Sequence, residues 1–179
     1  MARYVALLRG VNLGTRNRIS MPELRAALDE AAFGETQTYL QSGNVVLTSR
    51  AKPETVARKV SSVVAERFGL EIDVVVRSRD ELAAVVKRNP LGAVATDPKR
   101  YQVAFLSAEL DPGVVSRLES LAASGERVVA IDREVYAWHP KTIARSRLWA
   151  ELAGKRLGVT ATSRNWTTVE ALLALAEGR

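Results

Sequence analysis

Short apolar runs and helical stripes alternate along the chain and predict a regular order of strands and helices. Residues 4–8, Tyr-Val-Ala-Leu-Leu, form a continuous apolar run that is typical of a central strand. Farther on, Ser20, Pro22 and Glu23 form a capping box with proline near the first helical position, and apolar residues then recur at helical spacing. This pattern predicts a first helix over residues 21–32.

A hairpin, a second helix and another strand follow the first helix. The strand-like stretches 38–41 and 45–48 flank Ser42-Gly43-Asn44, a short polar turn that contains glycine, and this predicts a hairpin. Pro53 begins a helical apolar stripe, and residues 72–76 form the next strand-like run. The resulting order, β-α-β-β-α-β, is the split βαβ arrangement of a ferredoxin-like plait.

The second half repeats this order less regularly. A capped helix follows Ser78, and residues 89–100 have little periodicity and form the best linker candidate. The later segments predict a strand at 102–106, a helix at 112–123, a hairpin of 128–131 with 135–138, and helices near 146–156 and 167–176, the last with a capping box at Thr167. We therefore expect an α+β fold with two consecutive small α+β subdomains, residues 1–78 and 79–179, each with a ferredoxin-like antiparallel sheet.

Composition excludes several classes of chemistry. The chain has 179 residues, no cysteine and a single histidine, His139. Disulfides, thiolate nucleophiles, iron–sulfur clusters and multi-histidine metal sites are therefore excluded, and we predict no metal and no cofactor. His139 is a candidate general base, but a lone histidine at a strand end beside proline is more often incidental.

The hydropathy pattern also bears on the cellular compartment. No uninterrupted apolar run approaches the roughly 20 residues that a helix needs to cross a bilayer. The N-terminal residues form a strand-like pattern and lack the segments of a signal peptide. We therefore expect a cytoplasmic protein without a membrane partner.

Positive charge is concentrated in two segments. The formal net charge is +6, residues 1–20 hold four arginines and no acid, and residues 139–166 hold six lysines and arginines against one acid. The rest of the chain is therefore net negative. This asymmetry favours an anionic partner, either a phosphorylated small molecule or a nucleic acid; the alternative is a basic surface that serves only solubility.

The segment from Leu7 to Arg18, Leu-Leu-Arg-Gly-Val-Asn-Leu-Gly-Thr-Arg-Asn-Arg, is the first candidate anion site. It contains neither the dinucleotide fingerprint nor the P-loop motif. Arginine suits bidentate contact with phosphate, glycine lets backbone N–H groups approach an anion, and the following helix adds partial positive charge. The alternative is a tight turn that needs positive φ at Gly10 or Gly14, with solvated arginines.

Two other polar motifs lie at turns or helix starts. One is the amide-rich hairpin turn at Gln41, and the other combines a guanidinium, an amide and an indole just before the last helix. The alternatives are an ordinary turn for the first and a packed Trp166 for the second. The candidate ligand-binding residues are Arg9, Gly10, Asn12, Arg16, Gln41, Ser42, Asn44, Arg145, Arg147, Arg164, Asn165 and Trp166.

Several of these motifs together resemble one family. The stretches are YVALLRGVNLG at 4–14, MPELRAAL at 21–28, TYLQSGNVV at 38–46 and TSRNWTTVEALL at 162–173. They are similar to signatures of domain-of-unknown-function family 1697, a group of bacterial proteins. The resemblance implies two consecutive small α+β subdomains and no established activity. The chain departs from the family pattern at Thr15, where a second glycine is common, and at Arg147, where lysine is common.

Three functional hypotheses remain open. In the first, the three polar motifs form a cleft that binds a phosphorylated ligand or a nucleic-acid backbone without catalysis. In the second, the protein is an enzyme that acts on a small anionic substrate, with arginines as electrostatic stabilisers and His139 or a carboxylate as the base. In the third, the motifs are structural and form a polar seam between the subdomains.

Overall fold

The computed structural model describes all residues, 1–179, and each half of the chain folds around its own sheet. The first six elements are β1 (Ala2–Leu8), α1 (Met21–Glu30), β2 (Gly34–Tyr39), β3 (Asn44–Ser49), α2 (Pro53–Phe68) and β4 (Val74–Ser78). The others are α3 (Arg79–Arg88), β5 (Tyr101–Leu106), α4 (Pro112–Leu121), β6 (Arg127–Ile131), β7 (Glu134–Trp138), a 3-10 helix (Ile143–Arg145), α5 (Arg147–Ala153), β8 (Ala161–Asn165) and α6 (Trp166–Ala176).

Both sheets have four antiparallel strands and the same topology. The strand order is β2-β3-β1-β4 in the first sheet and β6-β7-β5-β8 in the second. The first strand of each sheet along the chain, β1 or β5, is therefore one of the two central strands of that sheet. The predicted α+β class with two ferredoxin-like subdomains is confirmed.

The chain divides into two compact units. The first comprises Met1–Ala84 together with Ala171–Arg179, and the second comprises Val85–Glu170. The C-terminal residues thus belong with the N-terminal sheet, where Arg3 donates a hydrogen bond to the Ala176 carbonyl at 3.5 Å. No helix combines the length and apolar character needed to cross a membrane. The segment predicted as a linker, residues 89–100, lies inside the second unit.

The core of the first unit explains why the first apolar run is continuous. Tyr4, Ala6 and Leu8 face the core that α1 and α2 cover, and each is at most 6% exposed. Val5 and Leu7 point to the opposite face of β1, because side chains alternate along a strand, and they are also buried. A strand buried on both faces needs apolar residues at every position.

The predicted order of elements lacks the last strand of the second sheet. The sequence pattern predicts no strand between the last two helices, but residues 161–165 form β8, which pairs with β5. The stretch from Thr162 to Asn165 is polar and lacks the apolar alternation by which strands are recognised. The final helix begins at Trp166, because the Asn165 side chain accepts a hydrogen bond from the Thr168 N–H at 2.9 Å. The capping box predicted at Thr167 is therefore wrong.

The two edge strands β4 and β8 carry arginine at equivalent positions. Arg77 and Arg164 each lie opposite a valine of the neighbouring central strand, and both side chains are buried. The next residue is a helix cap in both units, Ser78 before α3 and Asn165 before α6. The structure thus reveals a residue correspondence between the halves that comparison of the two sequences does not.

Gly43 allows the β2–β3 turn to approach the end of β1. Its φ is +76°, and a Cβ at this position would lie 2.7 Å from the Leu8 Cβ. The Leu8 N–H donates to the Gly43 carbonyl at 2.9 Å, so the two backbones are in direct contact. No side chain fits between them.

We expect Gly43→Ala to lower the free energy of unfolding by about 3 kcal/mol, through left-handed strain and a steric clash with Leu8. Gly14→Ala is the matched control, because Gly14 also has positive φ (+58°) but has open space around it. The control variant should lose only about 1 kcal/mol. Urea unfolding followed by circular dichroism measures both, and equal losses would contradict the clash.

Candidate functional site

The loop after β1 and the turn between β2 and β3 meet at one end of the first unit. The Asn12 side-chain amide donates to the Gln41 carbonyl at 2.6 Å and joins the two segments. We call this surface, residues 9–18 with residues 40–43, the basic tip. It brings together the first two of the three polar motifs predicted from the sequence.

Asn12 is the principal link within the basic tip. Its Nδ2 also donates to the Ile19 carbonyl at 3.0 Å, and its Oδ1 accepts from the Ile19 N–H at 2.8 Å. A second amide, Asn17, donates to the Gly10 carbonyl at 3.0 Å. These bonds occupy the Asn12 amide within the protein, so Asn12 positions the loop rather than presenting itself to a ligand.

Left-handed backbone conformations give the loop its shape. The φ angles are 69° at Gly10, 54° at Asn12, 58° at Gly14 and 47° at Asn17. Glycine and asparagine are the residues that adopt this region at the lowest cost. The glycines and amides that suggest a phosphate loop are therefore also the residues that this turn requires, in agreement with the structural alternative.

The arginines of the loop have unequal environments. Arg9 is 21% exposed at its side chain and its Nη1 lies 3.8 Å from the Asp73 carboxylate. Arg18 is exposed and donates to the Gly14 carbonyl at 3.0 Å, but it is in no ion pair. Arg16 is exposed, and its side chain is in neither an ion pair nor a hydrogen bond. The tip therefore presents two uncompensated positive charges to solvent.

The hairpin turn has one structural amide and one exposed amide. Asn44 is fully buried, and its Nδ2 donates to the Tyr39 carbonyl and to the Ser42 hydroxyl, both at 3.0 Å. Gln41 is exposed. Of the three candidate side chains in this turn, Gln41 is the most accessible to a ligand.

The third motif lies in the second unit and is largely buried. Arg164 is 9% exposed and donates to the Thr162 hydroxyl at 2.8 Å and to the Ser163 carbonyl at 2.9 Å. Burial lowers the pKa of Arg164 to about 10, so the guanidinium remains charged at neutral pH. Trp166 stacks on Tyr101 with ring centroids 4.7 Å apart. Its indole packs in the protein, in agreement with the structural alternative for this motif.

Arg145 and Arg147 flank the short connection between the 3-10 helix and α5. Both are exposed, and neither is in an ion pair. Ser146 between them caps α5, because its hydroxyl accepts from the Trp149 N–H at 3.0 Å. These two arginines are accessible cations of the second unit.

The second unit contains a buried pair that sequence reasoning misses. His139 is 1% exposed, and its Nδ1 lies 2.8 Å from the Glu126 carboxylate. Burial alone would raise the pKa of Glu126, but hydrogen bonds from Ser146, His139 and the Ala123 N–H outweigh it and hold this pKa below its usual range. No sequence motif connects two residues thirteen positions apart, so the pattern gives no sign of this contact.

The chemistry available at the basic tip is cationic. Its two segments contain no aspartate, glutamate or histidine. Elsewhere in the chain, no group of three or more His, Asp or Glu side chains could hold a metal ion. The arrangement suits the binding of an anion by arginine and amide donors.

Comparison with known proteins agrees with the fold. A family model described as "Protein of unknown function (DUF1697)" matches residues 1–136. Among solved structures, the chain is similar to the conserved bacterial protein SP0830 from Streptococcus pneumoniae, with 22% identity, a TM-score of 0.78 and 98% of each chain covered. No curated relative matches the chain. At this identity the structural likeness shows the fold alone.

Replacing Asn12 with alanine removes three hydrogen bonds, so we expect Asn12→Ala to lower the free energy of unfolding by about 3 kcal/mol. Asn17→Ala is the control, because it removes one side-chain bond at another left-handed asparagine, and it should lose about 1 kcal/mol. Hydrogen exchange at the Ile19 amide should rise only in Asn12→Ala. An unchanged Ile19 exchange rate would contradict the assigned role.

The lowered pKa of Glu126 predicts a pH-dependent contribution to stability. A carboxyl whose folded-state pKa lies below its unfolded value stabilises the fold above the unfolded value, 4.5. We therefore expect the stability difference between wild type and Glu126→Gln to shrink as the pH falls below that value. Thermal unfolding across this range measures the difference, and a pH-independent difference would refute the prediction.

Proposed function

The chain belongs to the family of proteins of unknown function DUF1697, and from its own surface we propose that it binds phosphate-bearing ligands at the basic tip. The ligand is a nucleic-acid backbone or a phosphorylated small molecule. The observation that carries this proposal is the pair of exposed arginines, Arg16 and Arg18, that lack ion-pair partners on a tightly hydrogen-bonded loop.

Preorganisation supports binding at this loop. Asn12 ties the loop to the hairpin turn, and within the loop Asn17 donates a hydrogen bond to the Gly10 carbonyl. A ligand then finds the guanidinium groups on a loop that is already ordered, which reduces the entropy lost on binding. Arginine also offers donors in a planar fork that matches the oxygens of a phosphate.

The charge distribution around the tip supports an anionic partner. Of the four arginines in residues 1–20, Arg3 pairs with Glu35 and Arg9 lies near Asp73. The positive charge on Arg16 and Arg18 is therefore not neutralised within the protein. An uncompensated charge of this kind accelerates the encounter with an anion and makes its binding dependent on salt.

Binding is favoured over catalysis because the tip has no residue suited to proton transfer. General acid–base chemistry needs an imidazole, a carboxyl or a comparable group within hydrogen-bond reach of the substrate. The Asp73 carboxylate lies 3.8 Å from the Arg9 Nη1 and forms an ion pair with this arginine. The two segments of the basic tip therefore supply no candidate base of their own, and the carboxylate beside them, Asp73, is paired with Arg9.

We expect Arg16→Ala combined with Arg18→Ala to weaken binding to nucleic acid by about a hundredfold or more, because two charge-assisted contacts worth about 1.5–3 kcal/mol each sum to at least about 3 kcal/mol. The slope of log affinity against log salt should become shallower by about 2 for a duplex. Fluorescence anisotropy with labelled oligonucleotides and with labelled nucleotides measures both effects.

The matched control is Arg25→Ala combined with Arg50→Ala, which changes the net charge equally at exposed arginines outside the tip. The control should retain near wild-type affinity. Equal losses in the two double variants would show diffuse charge attraction rather than a site. If the wild-type protein binds no phosphate-bearing ligand at low salt, the proposal is wrong.

A further inference from the structure

Two of the four large hydrophobic side chains exposed on the protein lie on the basic tip. Leu13 is 64% exposed and Leu40 is 57% exposed. Each is the sequence neighbour of one partner in the hydrogen bond from Asn12 to Gln41, which is 2.6 Å long. Leu13 and Leu40 therefore both lie on the basic tip, one on the loop and one on the hairpin turn.

Leu40 is placed against its backbone preference. Its φ is 57°, in the left-handed region, where glycine or asparagine is expected and other residues carry a steric cost. The side chain gains little in return from packing, since more than half of it is exposed. Neither the core nor the turn therefore explains why the residue is leucine.

The neighbours of the two leucines are cationic or amide side chains. Arg16, Arg18 and Gln41 are all exposed on the same tip, and the tip contains no acid. Apolar wedges flanked by arginine and amide groups are what proteins use when they insert into the minor groove of DNA. The tip has no aromatic side chain, which sequence-tolerant single-strand binding uses as a stacking platform.

We propose that the basic tip binds double-stranded DNA, with Leu13 and Leu40 inserted between base pairs from the minor groove and Arg16 and Arg18 on the flanking phosphates. This inference rests on the proposed function and names its ligand class. Gln41 lies beside the wedge and can hydrogen-bond to a base edge in the groove.

The proposal implies a preference among DNA sequences. Insertion separates stacked base pairs, and this costs least at flexible pyrimidine–purine steps and at mismatches. Because Gln41 alone is assigned to a base edge, we expect selectivity to arise mainly from the deformability of the DNA. Affinity should therefore be higher for a duplex with a TA step or a mismatch than for a stiff A-tract.

The experiment places 2-aminopurine beside a central TA step of a short duplex, since its fluorescence rises when the base is unstacked. The wild-type protein should raise the fluorescence. Leu13→Ala combined with Leu40→Asn should abolish the rise and weaken duplex binding about tenfold, as expected from the loss of buried apolar surface. Asparagine suits the left-handed backbone at position 40, so a loss of signal does not come from misfolding.

The control is Val94→Ala, which removes an exposed hydrophobic side chain of the second unit and should change neither signal. Binding that requires Arg16 and Arg18 without any fluorescence change would overturn the insertion and leave the proposed function standing. Leucine-dependent binding to anionic phospholipid vesicles in place of DNA would likewise overturn the insertion alone. No binding to any phosphate-bearing ligand would overturn both proposals.

Discussion

The basic tip depends on the hydrogen bonds of one amide, the side chain of Asn12. It accepts a hydrogen bond from the Ile19 N–H and donates to the Ile19 carbonyl. It also donates to the backbone carbonyl of Gln41 in the hairpin turn. The end of β1 contacts the same turn, because the Leu8 N–H donates to the Gly43 carbonyl. The exposed arginines and leucines can act as one surface because the backbone beneath them is held in this way.

Each of the two sheets also buries a charged side chain, an arginine on its edge strand. Arg77 and Arg164 occupy equivalent positions on edge strands, and both are almost completely removed from water. A buried guanidinium is costly unless hydrogen bonds compensate for the lost hydration, and Arg164 donates to Thr162 and Ser163. Recurrence of this feature in both halves argues that it belongs to the architecture of the unit rather than to an accident of one strand.

Apolar periodicity is the main signal in the sequence, so the elements that bury apolar faces are the ones that can be predicted. Strands such as β1 and helices such as α2 bury apolar stripes, so periodicity predicts them. β8 is polar because Thr162, Arg164 and Asn165 make side-chain hydrogen bonds, and a pattern based on hydrophobicity does not detect such a strand. The contact between His139 and Glu126 is equally invisible, since only the folded chain brings the two residues together.

At the candidate site, too, the sequence shows the residue types, whereas the backbone angles and contacts are seen only in the folded chain. The sequence singles out Gly10 and Asn12 as candidate ligand-binding residues, but their part in shaping the loop depends on φ angles and hydrogen bonds that only the folded chain displays. Leu40 gives no signal, because an isolated leucine in a strand-like stretch looks ordinary until its backbone is seen to be left-handed. Sequences obey local preferences at most positions, and a departure without a packing gain marks a residue retained for another reason. At Leu40 the departure coincides with exposure and with neighbouring arginines that are in no ion pair, and this coincidence is the reason for proposing a contact surface at this turn.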